Sequence, residues 1–202
     1  MQRRTLIAVL VLCGVWASAA DAQKFEITPF AGFRFGGEAV DETGISYDLE
    51  ATGSIGLGLE FAMSESARVQ LLWSHQSTSV DRFSFDDDGR VDLDIDYFHV
   101  GTAYVFDPSS RTRPFLGMSI GATRVVSPSE SSEATYFSFA IGGGVKIFFN
   151  DHIGLRFDGR LFGTYGGSGA FAVGCGPSGC LVGFGGDFLW QGEGTVGLLI
   201  GF

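Results

Sequence analysis

His75 and Ser77 stand two residues apart, and in a strand that spacing puts both side chains on one face, where an imidazole can take a proton from a hydroxyl. Such a pair needs a carboxylate to orient the imidazole, and the sequence does not name one. Cys175 and Cys180, in the segment GCGPSGC, are closely spaced, and in an oxidising compartment they read as a disulfide that stiffens a loop tip. A metal site there is disfavoured because no second Cys or His pair lies nearby. Asp86-Asp87-Asp88-Gly89 carries oxygen ligands suited to a divalent cation but lacks the spaced ligand set of a calcium loop. It reads as a solvated acidic loop, with Phe83 and Phe85 beside it as aromatics free for adhesion or contact with lipid headgroups. His99 reads as an interface residue and His152 as a turn residue. No metal and no cofactor is expected.

A second group of reactive side chains is dispersed. Glu26, Arg34, Glu60, Arg68, Lys146, Arg156, Asp158, Arg160 and Glu193 each fall in the polar phase of a segment whose other phase is apolar. If those segments surround a common interior, these residues form a charge network in which each neutralises its neighbours, since a buried charge without a partner is costly.

The elements that must hold these residues follow from composition. Among 202 residues there are 31 Gly and 20 Phe, yet no apolar run beyond the N-terminal segment is long enough to cross a bilayer as a helix. The chain starts with Arg3-Arg4, an apolar run from Leu6 to Trp16 and small residues ending in Ala20-Asp21-Ala22, the parts of a cleaved secretory signal. We therefore read residues 1–22 as signal peptide and 23–202 as one domain. A formal net charge of −10 argues against nucleic acid as a partner.

Period-two alternation recurs through the mature chain. Phe25, Ile27, Ala31, Phe33 and Phe35 oppose Glu26, Thr28, Gly32 and Arg34, and similar alternation marks strands near 49–61, 68–77, 91–106, 114–125, 136–149, 153–161 and 188–202. In the fourth, Leu93, Ile95 and Tyr97 oppose Asp92, Asp94 and Asp96, but beyond Phe98 both phases are apolar, which suggests a bulge or a change of phase. The connections alternate in length: Gly36 to Asp48, Thr78 to Arg90, Val126 to Thr135 and Tyr165 to Gly186 are long, whereas Ala62 to Ala67, Asp107 to Arg113 and Asn150 to His152 are short. A soluble sandwich has no reason to alternate so. An all-β, eight-stranded antiparallel up-and-down transmembrane β-barrel does, with short turns on the periplasmic side and long loops outside.

The segments ITPFAGFRFGG, RPFLGMSIGATRV and FSFAIGGGVKIFFNDHIGLRFDGRLFG resemble the small outer-membrane barrel domains of the OmpA, OmpX and OmpW types. The terminal strand, with Val196, Leu198 and Ile200 in phase with a final Phe202 and Gly197 among them, resembles the assembly signal of such barrels. That resemblance implies a bacterial outer-membrane location. It implies the barrel-assembly machinery and periplasmic chaperones as partners in biogenesis, with Gly197, Ile200 and Phe202 as the signal, and outer-membrane lipids and lipopolysaccharide as surroundings of a monomer. No peptidoglycan-binding domain is expected after the last strand. His75-Gln76-Ser77 also resembles the His-x-Ser part of the outer-membrane lipid A deacylases. It departs from them in having Thr78 where they have Asn, and in falling in the third strand instead of near the C-terminal end. The expectation is a non-enzymatic barrel with a structural or surface-interaction role through four extracellular loops. A narrow channel or carrier for small solutes is the alternative, ahead of a lipid A-modifying enzyme.

Overall fold

The computed structural model describes residues 25–40, 46–84, 87–127, 132–166, 174–176, 179–181 and 188–202. The expected signal segment lies outside them. The alternating segments form β1 (Phe25–Phe35), β4 (Thr52–Ala62), β5 (Ala67–Ser84), β6 (Asp87–Val105), β7 (Thr112–Ser127), β8 (Ser132–Phe148), β9 (Ile153–Tyr165) and β12 (Phe188–Gly201). Two short hairpins, β2 (Glu38–Val40) with β3 (Ser46–Asp48) and β10 (Gly174–Gly176) with β11 (Gly179–Leu181), lie in segments expected to be loop.

The eight long strands close in the order β1-β12-β9-β8-β7-β6-β5-β4, every pair antiparallel. Closure leaves no strand edge unpaired, which is the condition for a sheet to sit in hydrocarbon. After β1 the chain turns through Gly36 and Gly37 at φ 81° and 106°, a left-handed region that a Cβ disfavours. Leu49 N then donates to Gly37 O at 3.0 Å, fixing the return of the chain.

The outward phase is apolar, with Ile55, Leu116, Met118, Ile120, Ile141 and Leu198 all turned away from the lumen. Aromatics gather at both ends of this band. Phe25 packs on Phe61 and Phe202 at one end, with ring centroids 4.9 and 6.2 Å apart, while Trp190 meets Phe139 at 5.5 Å and Phe188 meets Tyr165 at 5.3 Å at the other. Two girdles flanking an apolar band are what a barrel presents to the two faces of a membrane. At the upper girdle Gly163 lets the rings pack close to the strand: a Cβ there would lie 2.6 Å from Phe139 Cζ and 3.1 Å from Trp190 Cζ3, so the Phe139 ring would have to shift.

Two expectations are corrected. The second long connection is mostly strand, because β5 and β6 remain paired as far as Ser84 and Asp87. Backbone pairing is satisfied whatever the side chains meet, so the ladder continues past the membrane where the polar residues from Thr78 onward suggested a loop. Asp87 and Asp88 therefore belong to β6, whereas Phe85 and Asp86 lie outside the described residues. The suspected bulge in β6 is absent too. Its register with β5 and β7 is unbroken through Phe98 and beyond. The phase holds and the surroundings change. On the periplasmic side of Phe98 the outward residues Val100 and Tyr104 are apolar, whereas on the other side Asp92, Asp94 and Asp96 turn outward and Leu93, Ile95 and Tyr97 turn in.

Candidate functional site

The lumen is filled in two layers. In the periplasmic half, Lys146 on β8 donates from Nζ to Glu26 Oε2 on β1 at 2.5 Å and also to Glu60 on β4. Arg156 on β9 donates to Glu60 and, through Nε, to Asp158 Oδ2 at 2.9 Å. Arg160 donates to the same Asp158 oxygen at 2.6 Å, and Arg68 Nη2 approaches Glu26 Oε1 to 4.0 Å. The Arg156 guanidinium lies over the Phe115 ring, 4.2 Å from its centroid. Cations and carboxylates thus alternate across the interior from five strands, β1, β4, β5, β8 and β9, so the network ties opposite walls together. Good geometry and shared partners are what make such buried charge tolerable.

Nearer the outer end, Arg34 Nη2 lies 2.8 Å from Glu193 Oε1 and also donates to Ser74. Its guanidinium sits 4.7 Å from the centroid of Tyr97, whose ring stacks on Phe162 at 4.2 Å and whose hydroxyl donates to Gln191 Oε1 at 2.8 Å. Around and above this, Leu49, Leu72, Leu93, Ile95, Val125 and Leu189 join Tyr97 and Phe162 in a buried apolar cluster that closes the lumen. His99 points inward instead of lying at an interface, its Nδ1 and Nε2 each 2.9 Å from a hydroxyl, Ser119 and Ser138. Two spaces beside Arg160 measure about 10 Å³ each, one against Gln70 and Ser119, the other against Thr28 and Thr195. Each is roughly the size that admits one water.

On the outer wall the structure joins His75 and Ser77 to a carboxylate. Asp96 is the register partner of His75 across β5 and β6, and His75 Nδ1 lies 2.9 Å from Asp96 Oδ1. Trp73 Nε1 donates to that same oxygen at 3.2 Å. Ser77 Oγ lies 3.4 Å from His75 Nε2 and donates to Asp94 Oδ1 at 2.7 Å. With Nδ1–H directed at the carboxylate, Nε2 is left as the acceptor that faces the serine. Among the described residues no group of three His, Cys, Asp or Glu is arranged to hold a metal ion.

A family profile, the outer membrane protein beta-barrel domain, matches residues 5–192. The chain belongs to that family. This outer membrane β-barrel is similar in fold to Neisserial surface protein A, with a TM-score of 0.61 and 15% sequence identity over 91% of this chain and 100% of the other. It is also similar to the outer membrane protein OprG from Pseudomonas aeruginosa, with a TM-score of 0.62 and 13% identity over 91% and 99% of the two chains. The sequence matches no curated protein sequence. Its place is the outer membrane.

The nine charged residues singled out in the sequence all face the barrel's interior, and the ion pairs above connect them in two groups, Arg34 with Glu193 and the other seven around Glu60 and Asp158. Cys175 and Cys180 are register partners across β10 and β11. Phe202 N donates to Phe25 O at 2.9 Å, which pairs the last residue of the barrel to the first strand. The contacts that join His75, Asp96 and Trp73 were not evident from the sequence alone. The signal was present in the run Asp92, Asp94, Asp96, three carboxylates in one phase of a strand that otherwise faces lipid.

Proposed function

We propose that this barrel is a membrane anchor with a sealed lumen, whose outer strand ends and extracellular loops perform its role at the cell surface. The observation that carries this reading is the two-layer filling, an ion-pair network below and an apolar cluster above, with water-sized gaps between side chains. A channel needs a continuous wet path, and here Tyr97 and Phe162 close the top while Lys146 and Arg156 are locked to Glu60 beneath. An eight-stranded barrel is just wide enough for such filling. The polar outer wall of β5 and β6, beyond the girdle, supports contact with molecules at the surface, and the name of Neisserial surface protein A agrees with such a place of action. Outer-membrane lipids and lipopolysaccharide contact the apolar band, and the barrel works as a monomer.

Liposome swelling in small sugars tests the reading. Vesicles carrying the folded protein should swell no faster than empty ones. Swelling that rises with protein content, and stops at a solute size cut-off, supports the channel instead.

A further inference from the structure

We propose that Ser77, His75 and Asp96 form an acyl-ester hydrolase site on the outer wall of the barrel, acting on a long-chain O-acyl ester of an outer-leaflet amphiphile. It goes beyond the sealed-anchor reading and does not depend on it. The arrangement has the three parts that nucleophilic ester hydrolysis needs: a hydroxyl, an imidazole within reach of it, and a carboxylate on the far imidazole nitrogen. Asp96 is itself fixed by the Trp73 indole N–H, so the imidazole is held in the tautomer that leaves Nε2 free as base. Ser77 is exposed outward, whereas Asp96 is largely covered, as suits an attacking group and its support.

The surroundings select the substrate. On the membrane side of the triad, Leu57, Leu71, Trp73, Phe98 and Val100 line an apolar groove of about 380 Å³ on the lipid-facing wall. On the other side, Thr52, Ser77, Asp92 and Asp94 border a polar cleft of about 320 Å³. Ser77 therefore stands where an apolar surface gives way to a polar one. Ten residue steps separate it from Ala67 at the other end of β5, which at about 3.3 Å per residue and a tilt of about 40° puts it roughly 25 Å up the wall, the height of an apolar band. An acyl chain lodged in the groove carries its ester to that level. The groove faces lipid, so an acyl chain is its occupant.

In the step proposed, His75 Nε2 removes the Ser77 hydroxyl proton as Oγ bonds to the ester carbonyl carbon. The tetrahedral species collapses by breaking the bond from that carbon to the alkoxy oxygen, which leaves with the proton from His75. Water from the outer face then adds to the acyl-serine, losing a proton to His75. The fatty acid departs and the proton returns to Ser77. Asp94, which accepts from Ser77 in the resting geometry, holds the hydroxyl until substrate turns it toward His75.

The test uses the full mature chain folded in detergent, with folding confirmed by heat-modifiable migration for every variant. Mixed micelles of a long-chain phosphatidylcholine and, separately, purified lipopolysaccharide are the probes, with released fatty acid measured by mass spectrometry. A long-chain fluorophosphonate tests Ser77 directly. Wild type should release fatty acid from at least one lipid, and S77A and H75A should lose this by about a thousandfold or more. D96N should lose at least about tenfold in kcat while still taking the phosphonate at Ser77, slowly. Release from phosphatidylcholine alone assigns glycerophospholipid, from lipopolysaccharide alone its acylated anchor, and from both the shared acyl-ester chemistry. Folded wild type that releases nothing from either lipid and leaves Ser77 unlabelled overturns the proposal, as does release that survives S77A.

Discussion

Arg34 and Glu193 are register partners across the seam where the first strand meets the last, and their side chains form an ion pair of 2.8 Å that is fully buried. The pair thus sits at the contact that turns a sheet into a barrel. A slip of one residue at this seam would send Arg34 into the lipid-facing phase, where a cation costs about 2–4 kcal/mol at the midplane and less toward the outer interface that Arg34 approaches. Register and closure are therefore coupled through one ion pair.

Removing one partner should cost far more than removing both. Glu193→Ala leaves the Arg34 guanidinium buried against the Ser74 hydroxyl and the Tyr97 and Phe162 rings, with its carboxylate partner gone, and should destabilise the folded barrel by about 3–5 kcal/mol. The double variant Arg34→Met with Glu193→Leu should recover most of that loss. Urea unfolding in detergent micelles, followed by tryptophan fluorescence, measures both.

Lys146 separates two carboxylates, Glu26 and Glu60, that otherwise face each other across the lumen. Lys146→Ala should destabilise by a similar amount, about 3–5 kcal/mol, and adding Glu26→Gln should restore about half by removing one uncompensated charge. The same unfolding assay reads the effect. A single variant as stable as wild type would show that the network contributes nothing to the barrel.

Cys175 and Cys180 are register partners across β10 and β11; if they form the disulfide expected from their spacing, the mature chain taken from an oxidising compartment should carry no free thiol until reduced. Thiol titration in denaturant, with and without prior reduction, checks this. Because the bridge closes a short loop, its reduction should shift unfolding by about 2 kcal/mol at most.

Phe202 lies exposed on the outer wall with its ring near Phe25. Phe202→Ala should change the stability of the refolded barrel by only about 1 kcal/mol, since one edge of the periplasmic girdle is lost. If Phe202 serves as the assembly signal that the resemblance implies, the same variant should also lower the amount of assembled barrel in cells severalfold. Quantifying heat-modifiable protein in outer-membrane fractions separates the two effects.

Much of the fold was legible because a membrane-spanning strand writes itself as alternation, and β1, β8, β9 and β12 alternate along most of their length. The charged interior was legible for the same reason. What alternation does not encode is which phase faces in. In β6 the apolar residues Leu93, Ile95 and Tyr97 look like a lipid-facing row, yet they fill the lumen, because at that height water lies outside and a hydrophobic cap lies inside. Asp96 stayed hidden for a different reason. Its pairing with His75 depends on the β5–β6 register, and a chain read as loop from Thr78 to Arg90 leaves that register open. Pairing that continues to Ser84 and Asp87 sets it.

The sealed lumen is tested most directly by single-channel recording of the folded protein in a planar bilayer. A sealed lumen gives a flat baseline at both polarities over long recordings, with insertion verified independently by protease protection. Discrete, reproducible opening steps from wild type, surviving purification of the heat-modifiable form, would contradict it.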